Sequence, residues 1–418
     1  MNSTKKKHSH WGIFVNNTSD RAHFINTLTH GSPPPPLLFL KNKTGAMLTN
    51  AALEHFMMEE DRHDLKLLTT HTSQSLRSMS SGERKKVLLR NILKSTPDFI
   101  LLDDPFDNLD LDSQLDLKKR LEVIARETSI LQLISRKRDL LPFIDHLAHL
   151  KGQDFIPLKN AATGLSPGLQ TLNTGEIPPP LYPMPQTTRS LVQFKNVSVR
   201  YGDKNILNSI HWTVHKGEFW QLMGMNGSGK TTLLSMITGD NPKGYGQDLY
   251  LFGQKKGTGE SIWELKEKMG YFTPAMTDKF AGYHTLENMV VSGLTDSIGL
   301  YTRPNEAQLR LAADWLKLIG LWKFRHSHFH ELTPGQQRLV MIVRAMVKHP
   351  LLLILDEPTA GMDDASAELL IHLVNKMARE SDTALIFVSH RIEPGLRPDL
   401  VYELDMTPTG SVGTQRPT

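Results

Sequence analysis

The stretch Gly224-Met225-Asn226-Gly227-Ser228-Gly229-Lys230-Thr231 sets glycines, a lysine and a hydroxyl at a spacing suited to holding phosphate. Glycines let backbone N–H groups turn inward around an anion, and a helix starting at Lys230 presents its positive end to the same point. Lys230 is placed to reach the β- and γ-phosphates of a nucleoside triphosphate. The hydroxyl of Thr231, followed by Thr232, is placed to ligate Mg²⁺. By average residue usage this pattern arises by chance in roughly one chain in a hundred of this length. Its setting between the apolar run EFWQLMG and the helical run TTLLSMIT argues against an ordinary glycine turn. Further along, Asp356 closes the run LLLILDE, where its carboxylate suits Mg²⁺. Glu357 follows it, as an acceptor for the proton of an attacking water. His390 closes ALIFVSH, where it can sense a γ-phosphate. Tyr201 is either a strand-edge aromatic or a platform on which adenine stacks. Singly, each of these is an ordinary polar residue at a strand end; in this order, with the loop, they point to ATP hydrolysis.

The elements that must position these residues are short and apolar. EFWQLMG, LLLILDE and ALIFVSH are buried-strand runs of the kind found in the centre of parallel sheets. DASAELLIHLVNKMARE between two of them has helical spacing, so the order predicts a mostly parallel sheet with helices on both faces. VQFKNVSVRY fits a strand with a break in its alternation. The prolines at 157, 167, 178–180, 183 and 185 mark a semi-rigid linker over 156–189. It separates a region 1–155 from a region 190–418.

Composition narrows the partners. A hydrophobic share of 39% with 22% charged residues is ordinary globular chemistry, and a net charge of +4 is too mild for a nucleic-acid surface. The lack of cysteine excludes disulfides, thiolate nucleophiles and cysteine-based zinc sites. No apolar run reaches membrane-spanning length, and the basic start MNSTKKKHSH has no signal-like stretch behind it. The expectation is a cytoplasmic protein, at most peripheral at the inner face of a membrane.

The first region repeats the second in reduced form. HWGIFV stands in the place of EFWQLMG, SMSSGERKKVLLRNIL mirrors LTPGQQRLVMIVRAMV, FILLDDPFDNLD mirrors LLILDEPTAGMD, and SILQLISR mirrors TALIFVSH. Aligned on this repeat, the first loop carries Asp20 for a glycine, Arg21 for the lysine and Ala22 for the hydroxyl. Asp104 replaces Glu357, and Arg136 takes the histidine position. A planar guanidinium is a different tool from a compact ammonium, and Ala22 cannot ligate a metal. The spacing from Ala22 to Ser80 is little more than half that from Thr231 to Thr333, so part of a nucleotide-binding wall is missing. The prolines from Pro33 to Pro36 read as a rigid surface loop. Arg338 and Arg344 read as partners for acidic neighbours.

These residues resemble the ATP-binding-cassette superfamily over nearly all of 190–405. The resemblance implies two P-loop cassettes in tandem, an α/β fold in each, the N-terminal one truncated and degenerate. It also implies ATP and Mg²⁺ as ligands, with ATP sandwiched between the phosphate loop of one cassette and the signature turn of another. Leu332-Thr333-Pro334-Gly335-Gln336 occupies the signature position, and Asp363 matches the aspartate that closes the loop after the glutamate. Pro274 stands where the family usually has a glutamine. In the first region Met79-Ser80-Ser81-Gly82-Glu83 keeps the serine and second glycine of a signature, so with head-to-tail packing Ser80 and Gly82 are expected to complete the Lys230 site; the alternative is a first region that only stabilises the second by burial. GYGQDLYLFGQKKGTGESIWELKEKMGY, SGLTDSIGLY and HSHWGIFV look like the ModF-type tandem-cassette family, known as molybdate-transport ATP-binding or photorepair proteins. Three readings compete: a stand-alone ATPase acting on a protein partner or as a homodimer, the motor of an importer with membrane subunits on other chains, and a translation- or nucleic-acid-associated cassette protein. The short, weakly charged linker ranks the last lowest.

Overall fold

The computed structural model describes residues 8–63, 66–69, 75–79, 81–158, 175–182, 188–280, 283–300 and 302–418, apart from the side chain of residue 278. The chain divides into two compact units, Met1–Gly168 with Gly361–Asp364, and Leu169–Ala360 with Ala365–Thr418. Among the described residues no helix is long and apolar enough to cross a membrane.

The first unit runs β1 (Trp11–Val15), α1 (Arg21–His30), β2 (Gly45–Leu48), α2 (Asn50–His63), α3 (Ser81–Lys94), β3 (Phe99–Asp103), α4 (Leu111–Ile124), β4 (Ser129–Ile134), β5 (His146–Lys151) and β6 (Asp154–Pro157). The six strands form one sheet in the order β2-β3-β4-β1-β5-β6, parallel except for the β5–β6 pair. β1 and β4 are buried along their whole length, as their continuous apolar sequence requires.

The second unit opens with β7 (Ser190–Tyr201) and β8 (Lys204–His215), then β9 (Phe219–Gly224), α5 (Lys230–Ile237), β10 (Leu249–Leu251), β11 (Gln254–Lys255), α6 (Ile262–Lys268) and β12 (Met269–Phe272). There follow α7 (Leu286–Ser292), α8 (Glu306–Leu318), α9 (Pro334–Met346), β13 (Leu352–Asp356), α10 (Asp364–Glu380), β14 (Ala384–Val388), β15 (Leu400–Asp405) and β16 (Val412–Pro417). One sheet is antiparallel, β11-β10-β7-β8; the other has the order β12-β13-β14-β9-β15-β16. The break in alternation within β7 is a bulge: register shifts between Phe194 and Val197, where Asn196 takes φ +56°. The described part of the linker lies on this unit. Ile177 is buried, its N–H donates to Glu380 at 3.3 Å, and His349 Nε2 lies 2.7 Å from the Pro178 carbonyl.

The two six-stranded sheets repeat one another in order and direction. The repeat extends to backbone torsions: Thr96, Asp104 and Asn108 have positive φ, and so do His349, Glu357 and Gly361 at the matching places. Among the described residues of the first unit there is no counterpart of the antiparallel sheet. In the second unit that sheet, through Val192, Ile210 and Trp212, shares a core with Trp220, Leu222, Leu352, Ile354 and Tyr402, and the Trp212 and Tyr402 rings stack at 4.6 Å. In the first unit the corresponding face, Trp11, Ile13, Phe99 and Leu101, shares its core with Phe24 and Leu28 of α1 and with Leu37 and Leu40. The proline run keeps solvent contact at Pro34 to Pro36, yet it is more than a surface loop, because it leads into a buried anchor. Pro35–Leu40 forms a 3₁₀ turn whose Leu37 is fully buried, and Pro33 is buried before it. Prolines hold the segment rigid, and the leucines spaced three apart in a 3₁₀ turn fall on one side.

Candidate active site

β9 delivers the phosphate loop from the middle of its sheet. Gly224 has φ +154°, and a Cβ there would lie 2.5 Å from Ser228 Oγ and 3.0 Å from the Leu404 carbonyl oxygen. Gly229 has φ +95°, and a Cβ would lie 2.7 Å from Leu207. Only glycine fits either place. Ser228 N–H donates to the Met225 carbonyl at 3.1 Å and closes the loop, with Asn226 half-buried and Gly227 exposed at φ +83°. α5 begins at Lys230, whose Nζ donates to the carbonyls of Gly224 (2.6 Å) and Met225 (3.0 Å). Thr231 and Thr232 form its first turn, Thr231 exposed. Ser228 Oγ is buried and has no hydrogen-bond partner among the described residues.

Asp356 ends β13, and Glu357 follows with φ +48°. This left-handed turn redirects the chain immediately beyond the strand, at a conformational cost that the surrounding contacts must offset. The Glu357 N–H donates to the Val388 carbonyl at 3.1 Å, tying it to β14. Its Oε2 lies 2.9 Å from His390 Nδ1, while His390 Nε2 is buried with no partner among the described residues. Burial, with the Glu357 charge beside it, pushes the Asp356 carboxyl up to about 6, against the opposing pull of Lys230 and of Tyr271. The Tyr271 hydroxyl stands 3.4 Å from Asp356 Oδ2. Two orphaned polar atoms and a half-buried carboxylate, raised by partial desolvation and a like charge, fit a triphosphate with a divalent cation. Asp356 and Thr231 are the residues that would hold Mg²⁺.

Other expected site residues fall as follows. Tyr201 is half-exposed, hydrogen-bonded through its hydroxyl to Asn241, with Lys243 Nζ 5.6 Å over the ring. Thr333 caps α9 in a reciprocal box with Gln336: Gln336 N–H donates to Thr333 Oγ1 at 3.4 Å and Thr333 N–H to Gln336 Oε1 at 3.1 Å. Gly335 is buried in the same turn. Asp363, within Gly361–Asp364 of the first unit, is buried and accepts the Asn17 N–H at 3.1 Å. Pro274 begins a 3₁₀ turn, Pro274–Lys279, after β12. Ser80 lies outside the described residues. Gly82, in α3, has a packing reason for being glycine, since a Cβ would lie 2.9 Å from Ser113 Oγ. Arg338 donates to the carbonyls of Pro358 and Ala360, bracing the loop after Glu357, and Lys85 does the same for Pro105 and Asp107 in the first unit. Arg344 donates to Ser292 Oγ and the Ser297 carbonyl and lies over the Phe280 ring. The pattern of charges along α9 held no sign of these carbonyl partners.

In the first unit the corresponding residues hold one another. Arg21 Nη1 lies 2.5 Å from Asp103 and 2.9 Å from Asp104, and its Nη2 donates to Ser135 Oγ at 2.6 Å. Ser135 in turn donates to Asp104 through N–H (2.8 Å) and Oγ (2.6 Å). Burial lowers and the two aspartates raise the Arg21 pKa, with a net upward shift. Strand register corrects one assignment. Asp103 pairs with Leu133 as Asp356 pairs with Val388, so Ser135 occupies the histidine position and Arg136 matches Arg391. Alignment on the similar ends SR and SH had slipped by one residue. A short polar run contains nothing that fixes register; the sheet does.

Comparison with known proteins agrees with this construction. The ABC transporter family profile matches residues 207–360. The ABC transporter ATP-binding protein ModF of Escherichia coli (strain K12) is 36% identical over 360 residues, covering 82% of this chain and 73% of that protein. An uncharacterized ABC transporter ATP-binding protein of Schizosaccharomyces pombe is 29% identical over 331 residues, 76% of this chain and 66% of its own. Among solved structures, cbiO1 of Clostridium perfringens is 24% identical with a TM-score of 0.47, covering 55% of this chain and 88% of that one. By its likeness to the Escherichia coli protein across most of both chains, and by the phosphate loop, carboxylates and histidine assembled above, the chain belongs to the ATP-binding-cassette family, as an ATP hydrolase of the ModF type.

Proposed function

We propose that the chain hydrolyses Mg²⁺-bound ATP at one competent site, built on Lys230, Thr231, Asp356, Glu357 and His390. A degenerate cassette would span 1–155, a proline-rich linker 156–189 and the working cassette 190–418. The observation that carries this reading is the contrast between equivalent positions. Glu357 and His390 meet at 2.9 Å while Ser228 Oγ and His390 Nε2 have no partner among the described residues, whereas Arg21, Asp103, Asp104 and Ser135 satisfy one another. A carboxylate paired with a guanidinium has its charge neutralised and binds a metal only by giving up that pair, and a guanidinium so bound has few donors left for phosphate.

In the working site the loop amides and Lys230 hold the phosphates. Glu357 accepts the proton of the attacking water, and His390, its Nδ1 engaged with Glu357, leaves Nε2 for a γ-phosphate oxygen. Asp356 and Thr231 would hold Mg²⁺, which when bound would neutralise phosphate charge. Tyr201, Asn226, Thr232, Thr333, Gly335, Gln336 and Asp363 are proposed nucleotide contacts. Ser80 and Gly82 join them on grounds of residue type.

The work done with ATP is proposed from the resemblance to the ModF-type family. A ModF-like protein would act in association with molybdate transport, at the cytoplasmic face of the membrane through a protein partner or as a homodimer. Steady-state ATPase measurements on the full chain test the site. Lys230→Ala is expected to lose nucleotide binding and turnover together. Glu357→Gln should keep binding and lose turnover by about 10²- to 10⁴-fold. Substantial turnover in either variant defeats the assignment. Stimulation by molybdate, or stable co-purification with membrane subunits, separates the stand-alone reading from the importer motor.

A further inference from the structure

The loops leaving β13 and β14 are tied at a second point besides the Glu357–His390 contact. Thr359, two residues beyond Glu357 and 2% exposed, donates its hydroxyl to Glu393 Oε1 at 2.7 Å. Glu393, three residues beyond His390, is 3% exposed, and Arg391 Nε lies 3.5 Å from the same oxygen. The loop at 389–393 is anchored from behind: Ser389 Oγ donates to the Arg391 carbonyl at 2.7 Å and accepts from Gln221 Nε2 of β9 at 2.9 Å. A carboxylate this deeply buried persists only where hydrogen bonds and a countercharge compensate it. Hydrolysis as derived above uses none of Thr359, Arg391 or Glu393.

The backbone gives this tie something to do. Glu357 sits in the left-handed region at φ +48°, and Ala360 N–H closes the turn onto the Glu357 carbonyl at 3.2 Å. Thr359 lies inside that turn. A strained turn relaxes unless its surroundings over-determine it. The first unit makes the same turn at Asp104, φ +39°, and there the matching residue is Phe106, fully buried in the core. Arg138 stands opposite the Glu393 position by strand register. At this position the unit that lacks the histidine thus has an apolar anchor, beside the Ser135 bonds to Asp104, and the unit that has it ties the turn to the histidine's own loop.

We infer that Thr359 and Glu393 are a positioning pair for hydrolysis: their hydrogen bond sets the separation of the two loops and so holds the Glu357 carboxylate against the His390 imidazole. Small misplacements of a reacting group are costly in rate while leaving substrate binding intact. The inference rests on the reading of Glu357 and His390 given above.

The test uses the full chain. Thr359→Val, which keeps the shape and removes the donor, is expected to lower kcat roughly tenfold. The KM for ATP and the affinity for a fluorescent trinitrophenyl-ATP should stay within about twofold. Thr359→Ser should restore kcat, because the hydroxyl returns without the methyl group. Wild-type kcat in Thr359→Val overturns the inference, as does equal impairment of the Val and Ser chains, which would point to methyl packing. If Thr359→Val does not fold, as judged by thermal melting, Thr359→Ala against Thr359→Ser gives the same comparison. Glu357→Gln separates the two levels of the argument: a wild type no faster than Glu357→Gln sinks the site itself, and a Thr359→Val chain no slower than wild type sinks only the pair.

Discussion

Asp356 illustrates how a site residue carries opposing demands. Its carboxyl is pushed up to about 6 from 3.8 by burial and by the adjacent Glu357, so ionising it in the folded protein costs free energy. At 1.36 kcal/mol per unit the penalty is at most about 3 kcal/mol. Because the folded pKa lies above the unfolded one, the penalty is complete above about pH 6 and is relieved as the pH falls from about 6 towards 4. Asp356→Asn should therefore raise stability by up to about 3 kcal/mol at pH 8 in the absence of nucleotide, and by much less at pH 4, while losing turnover. Denaturant unfolding at the two pH values checks it; equal stabilisation at both would remove the electrostatic explanation. On the proposed role of Asp356 as a Mg²⁺ ligand, which needs the ionised form, the Mg²⁺ concentration needed for half-maximal turnover should rise as the pH drops below about 6. Asp356, Glu357 and His390 were legible because each ends an apolar run. Tyr271, Thr359, Arg391 and Glu393 were not, because nothing local distinguishes a tyrosine or threonine that meets a carboxylate from one that meets water.

At the scale of elements, the first unit shows residues at the repeated positions holding one another. Arg21, half-buried against Asp103 and Asp104, neutralises carboxylates that would otherwise repel one another. Arg21→Ala should destabilise the protein by about 1–3 kcal/mol, less than for a fully buried pair because these groups keep some solvent contact. Thermal melting, with Asp103→Asn in the same chain as the compensating change, measures it; if Asp103→Asn does not recover part of the loss, charge neutralisation is the wrong cause. The Pro33–Leu40 segment covers a sheet face that an antiparallel sheet covers in the second unit. Leu37→Ala should cost about 2–5 kcal/mol, the range for truncating a fully buried leucine. The strand runs and their order were readable from the sequence, since periodicity and apolar length are local. The 3₁₀ turn was not, because PPPPLLFL carries no period long enough to identify and its leucines are core residues only in the presence of the face they cover.

For the whole molecule the consequence is asymmetry. Two units share one strand order; among the described residues Ser228 Oγ and His390 Nε2 have no partner in one, and Arg21, Asp103, Asp104 and Ser135 satisfy one another in the other. Equilibrium dialysis with labelled ATP and Mg²⁺ should find one nucleotide per chain in the Glu357→Gln protein and none in Lys230→Ala. A second nucleotide, or binding that survives Lys230→Ala, would show that Arg21 yields its carboxylates to a ligand. Dissection of the chain needs care at the linker. A fragment starting at Ser190 loses the Ile177–Glu380 and Pro178–His349 contacts along with the first unit, so its activity reports on both.

The sequence by itself determined the chemistry, the two-fold repeat and the sheet class, because phosphate loops, strand-end carboxylates and buried strands are written in short contiguous patterns. The tertiary structure decided the register of β4, the closed ion-pair cluster around Arg21, the burial of the proline-led turn and the buried tie between Thr359 and Glu393. Each of these depends on which strand lies beside which and on what a side chain meets across the fold. Such long-range pairings are set by packing and hydrogen-bond satisfaction, and they leave no mark in the residues on either side.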